Sequence, residues 1–371
     1  MSRFIEEEIV PTIQTTSGII PTPTKTTEEL VADMVGYLAK STLSAENLRG
    51  KKVEQRPRLL GEWLRLGDLG FLFAPRGRGK TWLSMAIAKA LASGKGASVG
   101  GWLAQESQVV LYVDGEMNID ETTRRESALA QDTQGRLLFL HHDLLFMENC
   151  RSLNLTDPIT QAALSQHILN SKASVLMLDN LSSLFYGLKE NEADGWEKVL
   201  PWLLDLRRKG VAVIIVHHSG VDGTRMRGTT KREDHAHWVL RLDEPQTGDA
   251  DDGARFLAKF IKCRNCPQKE VPPIEFYFRP NPMKPAETLI EWQVIDSVEQ
   301  FKISLEKFGT ANATEISEDI GCSKSYASKL SRQGVREGWC VIEGRNYTFQ
   351  MPSTDLHRLN KKNREEGIVP L

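Results

Sequence analysis

The sequence predicts an α/β protein, a mostly parallel sheet with helices on both faces, followed by a small domain of helices and a β-hairpin. Three observations carry this. Continuous apolar runs recur with helical stretches between them, at Val109–Val113, Leu137–Leu140, Val175–Leu178 and Val211–Val216. Runs that are apolar on both faces belong to strands covered on both sides. A glycine-bearing loop, Ala74-Pro75-Arg76-Gly77-Arg78-Gly79-Lys80-Thr81, joins the apolar Phe71-Leu72-Phe73 to the helix-like stretch from Thr81 to Ser93. From residue 301 the long strand–helix alternation gives way to short, closely spaced elements.

The chain has 371 residues, enough for two or three domains. It is 40% hydrophobic and 26% charged, the balance of a soluble globular protein. A net charge of −2 excludes a uniformly basic nucleic-acid binder but not a local basic surface. No targeting signal is expected, because Phe4-Ile5 is followed at once by Glu6-Glu7-Glu8. No apolar run reaches membrane-spanning length. Five scattered cysteines point to a reducing cytoplasm. Cys263 and Cys266 form a Cys-x-x-Cys without a second ligand pair, and read as two thiols rather than a zinc site.

Residues 1–27 are rich in Thr and Pro and read as an extended arm. Thr27 is placed to cap a helix carrying Leu30, Met34 and Leu38 at helical spacing. The strands listed above follow from about residue 58. Trp238–Leu242, Arg255–Ile261 and Ile274–Phe278 lie close together and are expected to extend the sheet as antiparallel hairpins. Thr314–Ile320 and Ser323–Val335 read as two tightly joined helices, with Ser323 as an N-cap. Trp339–Ile342 and Tyr347–Phe349 read as strands around Glu343-Gly344-Arg345-Asn346. Two helices and a hairpin in this order make a winged helix.

Strand, glycine-bearing loop, Lys-Thr and helix form a phosphate-binding architecture. The helix start leaves N–H groups unpaired and carries partial positive charge. Gly77 and Gly79 let the loop curl around an anion with its N–H groups inward. Lys80 can reach β- and γ-phosphates, and the Thr81 hydroxyl can ligate Mg²⁺. Ala74 departs from the usual opening glycine, and a methyl fits there at negative φ.

Four further features gain meaning from that loop. Asp179 ends the run Val175–Leu178, where a carboxylate can hold the Mg²⁺ shell. Asp114-Gly115-Glu116 follows Val109–Val113, and Glu116 can orient and deprotonate a water, with Asp114 second in line. His217-His218 follows Val211–Val216. His218 is expected to sense the γ-phosphate and His217 to be structural, because adjacent strand residues face opposite ways. Lys262 and Arg264 share a strand face and suit a transferring phosphoryl group, supplied from a neighbouring subunit.

The order of these motifs over residues 58–296 resembles the RecA-like ATPases, and within them the RepA-type ring helicases of plasmids and mobile elements, with DnaB-type helicases more distant. The resemblance implies a hexamer with ATP between subunits, Glu116 as base, His218 as γ-phosphate sensor, and Lys262 and Arg264 acting in trans. The expected organisation is an N-terminal arm and helix (1–50), a RecA-like ATPase domain (51–297), a winged-helix domain (298–360) and a tail (361–371). In such rings the loop after His218 faces the central channel. Here it carries Arg225, Arg227, Lys231 and Arg232, which can track single-stranded DNA by electrostatics. The second helix of the winged helix offers Lys324, Lys329 and Arg332 to duplex DNA, although residues 301–371 hold only 11 Lys+Arg against 9 Asp+Glu. Two alternatives stand beside a helicase. One is an ATP-switched DNA-binding regulator or loader without processive unwinding. The other is an assembly protein that binds nucleotide to oligomerise.

Overall fold

A computed structural model describes residues 25–150, 153–187, 193–220, 225–227, 231–245, 253–320 and 322–350. The arm up to residue 24 and the tail from 351 lie outside the described residues. The chain divides into two units, Met1–Gln55 and Arg56–Leu371.

In the first unit, α1 spans Thr27–Ser41 and α2 spans Ala45–Gly50. The cap of α1 is Thr26, one residue before the expected one. Glu29 closes a capping box with it, so two N-terminal donors are satisfied reciprocally. No residue of α1 is buried.

The second unit begins with β1 (Arg58–Leu60), β2 (Leu64–Arg65), β3 (Leu69–Ala74) and α3 (Lys80–Ser93). β4 (Ser98–Val99), β5 (Trp102–Leu103), β6 (Val110–Asp114), α4 (Ile119–Ala128), β7 (Leu137–His141), α5 (His142–Met147) and α6 (Pro158–Ser171) follow. Then come β8 (Val175–Asp179), α7 (Leu181–Leu184), α8 (Ala193–Arg208), β9 (Ala212–His218), α9 (Lys231–Asp234), β10 (Trp238–Asp243), β11 (Ala254–Cys263), β12 (Ile274–Asn281) and β13 (Lys284–Val294). Nine strands form one sheet in the order β13-β12-β11-β10-β3-β9-β8-β6-β7. From β10 to β7 every pairing is parallel. Strands β3, β6, β8 and β9 are buried at every position, as their unbroken apolar runs require. Alternate residues feed two cores. Leu72, Tyr112, Met177 and Ile214 meet α3, whereas Phe71, Leu111, Leu176 and Ile215 meet the side holding Trp196 and Leu203 of α8.

Trp238–Leu242, Arg255–Ile261 and Ile274–Phe278 extend the sheet as expected: β10 is antiparallel to β11 and β11 to β12, while β10 joins the parallel half through β3. The indole of Trp238 lies over Gly70, where an added Cβ would come within 2.1 Å of the ring, so this β3 position needs glycine for close packing. Strand β13 was not anticipated. It is an edge strand with no fully buried residue, and its Glu, Thr and Gln leave no continuous apolar run.

The C-terminal elements have a core of their own around Phe301, Leu305, Ile316, Leu330, Trp339 and Tyr347. They are α10 (Ser297–Phe308), β14 (Thr310–Asn312), α11 (Ala313–Ile320), α12 (Lys324–Glu337), β15 (Cys340–Glu343) and β16 (Asn346–Phe349), with the three strands in the order β14-β16-β15. Ser323 caps α12 by accepting from Tyr326 N at 3.2 Å. Among the described residues no helix is long and apolar enough to cross a membrane.

Candidate nucleotide-binding site

The loop from Ala74 to Thr81 leaves the C-terminal end of β3 and enters α3. Gly77 and Gly79 have φ of 75° and 81°, a region that disfavours side chains. A Cβ on Gly79 would also come within 2.6 Å of the Phe256 ring. Lys80 is buried, and its Nζ donates to Ala74 O at 3.1 Å and Pro75 O at 2.8 Å, the rim of the loop. Burial lowers the Lys80 pKa, against the pull of Asp179 and Glu116. Arg78 reaches outward to Glu244 at 2.9 Å.

Asp179 ends β8 beside Asp114 at the end of β6. Burial pushes its carboxyl up to about 7, while hydrogen bonds from Tyr112 and Thr81 act against the rise. Tyr112 Oη donates to Asp179 Oδ2 at 2.6 Å, and Ser84 Oγ lies 2.8 Å from the same hydroxyl. A buried carboxylate bonded to the Thr81 hydroxyl is the hard oxygen pair that Mg²⁺ takes, and the Lys80 end of α3 is the cradle a triphosphate takes. These residues fit Mg²⁺ and ATP.

Glu116 lies beyond β6 and His218 ends β9. Asn180 joins them. Its Nδ2 donates to Glu116 Oε2 and lies 3.3 Å from His218 Nε2. His218 Nε2 is 3.9 Å from Glu116 Oε1. Glu116 is half exposed, with its side chain at 49%, so it faces solvent. Asp114 is occupied otherwise. One oxygen accepts from the backbone N of Glu116 and Met117 at 3.0 and 3.1 Å, and the other accepts from Thr122 Oγ1 at 2.7 Å. It shapes the turn that presents Glu116, and is not placed as an alternative base. His217 points away from His218, with Nε2 2.8 Å from Arg227 O.

The structure thus brings Lys80, Thr81, Asp179, Glu116 and His218 to one edge of the sheet. Lys262 and Arg264 are elsewhere. β11 pairs Cys263 with Trp238, and Trp238 pairs with Gly70, so both cations lie at the opposite end of β3 from the loop. Lys262 Nζ donates to Glu233 O, and Arg264 Nη2 donates to Asp234 O at 2.9 Å. Beside them Asn265 is fastened to the buried Asp68, Nδ2 to Oδ2 at 2.6 Å. Cys263 and Cys266 are free thiols with their sulfurs 3.5 Å apart.

Arg232 requires correction. Expected in the DNA path, it is fully buried, donates from Nη1 to Arg227 O at 3.1 Å and lies 5.7 Å from the Trp196 ring centroid. Arg225 and Arg227 are exposed, and the Lys231 side chain lies outside the described residues. Lys324, Lys329 and Arg332 are exposed on α12. Sequence reasoning missed Asn180 and Tyr112. A hydroxyl within the apolar run of β6, two residues before Asp114 on the same face, was the available signal for Tyr112.

A family model described as an AAA domain matches residues 38–224, just over half of the chain. The chain belongs to this AAA-domain family. It is therefore a P-loop ATPase-type protein, in keeping with its mainly parallel sheet and phosphate loop. Among solved structures it is similar to the flagellar accessory protein FlaH from Methanocaldococcus jannaschii, at 16% identity and a TM-score of 0.41, covering 67% of this chain and 97% of that one. It is also similar to the KaiC-like protein PH0186 from Pyrococcus horikoshii OT3, at 14% identity and a TM-score of 0.42, covering 64% of this chain and 99% of that one. No curated protein matches the chain.

Proposed function

We propose that this AAA-domain protein is a Mg²⁺-ATP-driven DNA motor of the RecA-like kind. Its role would be that of a hexameric replicative helicase of a plasmid, phage or mobile element, working in the cytoplasm. The observation that carries the reading is the separation of Lys80 from Lys262 and Arg264 by the length of β3. A phosphate loop and a cation pair at opposite sheet ends cannot meet within one chain, but can meet across neighbours. Glu116 is then the base that deprotonates the attacking water, Thr81 and Asp179 hold Mg²⁺, and Arg264 and Lys262 offset charge on the neighbour's transferring phosphoryl group. His218 senses the γ-phosphate and passes its position to Glu116 through Asn180. Strand β9 ends at His218, and Arg225 and Arg227 stand exposed just beyond it, which suits coupling to a single strand.

The C-terminal module reads as a winged helix. A groove of about 610 Å³ runs between α12 and the β15–β16 turn, lined by Arg332, Arg345, Asn312, Asn346, Ser328 and Thr314 among others, with no acid. That groove suits duplex phosphates and favours a second reading, an ATP-switched loader that docks on duplex DNA without unwinding it. Two assays separate the readings. Single-stranded DNA should raise ATP turnover, and a forked duplex should lose its displaced strand. Stimulated turnover without displacement points to the loader. Turnover indifferent to DNA removes the motor reading.

A further inference from the structure

Trp82 follows Thr81 directly, in the first turn of α3. Its indole is partly buried at the margin of the α3-side core. Arg125 of α4 places its guanidinium carbon 5.3 Å from the ring centroid. Arg125 is itself held by Glu121, Nε to Oε1 at 2.7 Å. The Phe278 ring of β12 lies 6.1 Å away, tilted by 42°. Phe278 stacks on Phe256 at 5.7 Å, and Phe256 is the ring pressed against Gly79. The indole is therefore braced from α4 and from the same aromatic row that supports the phosphate loop.

Apart from Lys80, Thr81 and the buried Lys89, the rest of α3 is built from aliphatic and small residues, so a large ring left partly exposed in its first turn stands apart from the packing of the helix. Its position relative to a nucleotide follows from the loop. With β- and γ-phosphates at Lys80, the α-phosphate meets the N–H groups of the first turn. The sugar and base must then leave past that turn. We infer that Trp82 is the wall of a nucleoside subsite, packing its ring against the ribose and base of the bound triphosphate. The subsite takes a nucleoside triphosphate rather than any polyphosphate, and Arg125 keeps the ring in place. This rests on the ATPase reading above.

The test compares two Mg²⁺-bound probes by calorimetry, the non-hydrolysable β,γ-imido analogue of ATP and inorganic tripolyphosphate. Trp82→Ala should weaken binding of the imido analogue by roughly 10- to 100-fold, the range of base–aromatic stacking, and leave tripolyphosphate unchanged. Trp82→Leu, which keeps apolar bulk against Phe278, should show the same selective loss, and Trp82→Phe should retain most of the affinity. Equal loss for both probes in the Ala and Leu variants, or no loss for the imido analogue, overturns the inference. A wild-type protein that binds neither probe overturns the ATPase reading, and the subsite with it.

Discussion

Asn180 joins the carboxylate proposed as the base to the imidazole proposed as the γ-phosphate sensor. Its amide donates to Glu116 and reaches His218, so displacement of the imidazole is felt at the carboxylate through one side chain. Glu116→Gln should bind ATP and fail to hydrolyse it, since the amide is near-isosteric but takes no proton. Asn180→Ala should lower kcat by roughly tenfold or more while KM for ATP holds, because it disturbs the base and not the phosphate cradle. Steady-state kinetics decide this, and a Glu116→Gln protein with normal turnover would place the base elsewhere. The grouping of Lys80, Thr81 and Asp179 was legible in the sequence because it follows from spacing along one loop and from one strand end. Asn180 was not, because its bond to Glu116 exists only where β6 and β8 lie side by side. Arg232 was misread for the same reason. In sequence it is one more cation in a basic loop, whereas in space Trp196 and Arg227 enclose it.

At the scale of elements, the parallel strands were readable as continuous apolar runs, but the half of the sheet beyond β3 was less so. β10 and β11 place Arg241 opposite Lys259, two cations within a sheet. Lys259 is buried, and burial with the adjoining Arg241 pushes its pKa from 10.5 down to about 8. The folded state thus disfavours the charged form. That penalty is fully present below pH 8 and disappears as pH rises to 10.5, so stability should increase across this window. The size is on the order of 3 kcal/mol. Lys259→Met should accordingly raise the melting temperature at pH 7, with the gain over wild type shrinking as pH approaches 10. A gain that is constant with pH would show that the ammonium is not the source of the cost. Strand β13 escaped sequence reading because an exposed edge strand needs no apolar pattern, only a partner in β12.

At the scale of the whole molecule, the phosphate loop and the Lys262–Arg264 pair occupy opposite ends of the sheet. Mixing two inactive proteins, Arg264→Ala and Lys80→Ala, should restore part of the ATPase activity, because some interfaces pair an intact loop with an intact arginine. The loss at each defective interface should be large, as cations of this kind are worth roughly 10³–10⁵ in rate. No recovery in mixtures shown to co-assemble would make the pair structural. The sequence marked the pair by its Lys-x-Arg spacing, but only the register of β10 and β11 shows which end of the sheet it occupies.

That register also constrains stoichiometry. On the trans reading, each contact joins unlike surfaces, head to tail, and a contact of that kind leaves one loop and one arginine unused at the two ends of any open row. An arc of n subunits then holds n − 1 complete sites, and only closure supplies the last. Activity per subunit should climb with the length of the arc and level off when the ends meet, so turnover itself counts open against closed assemblies.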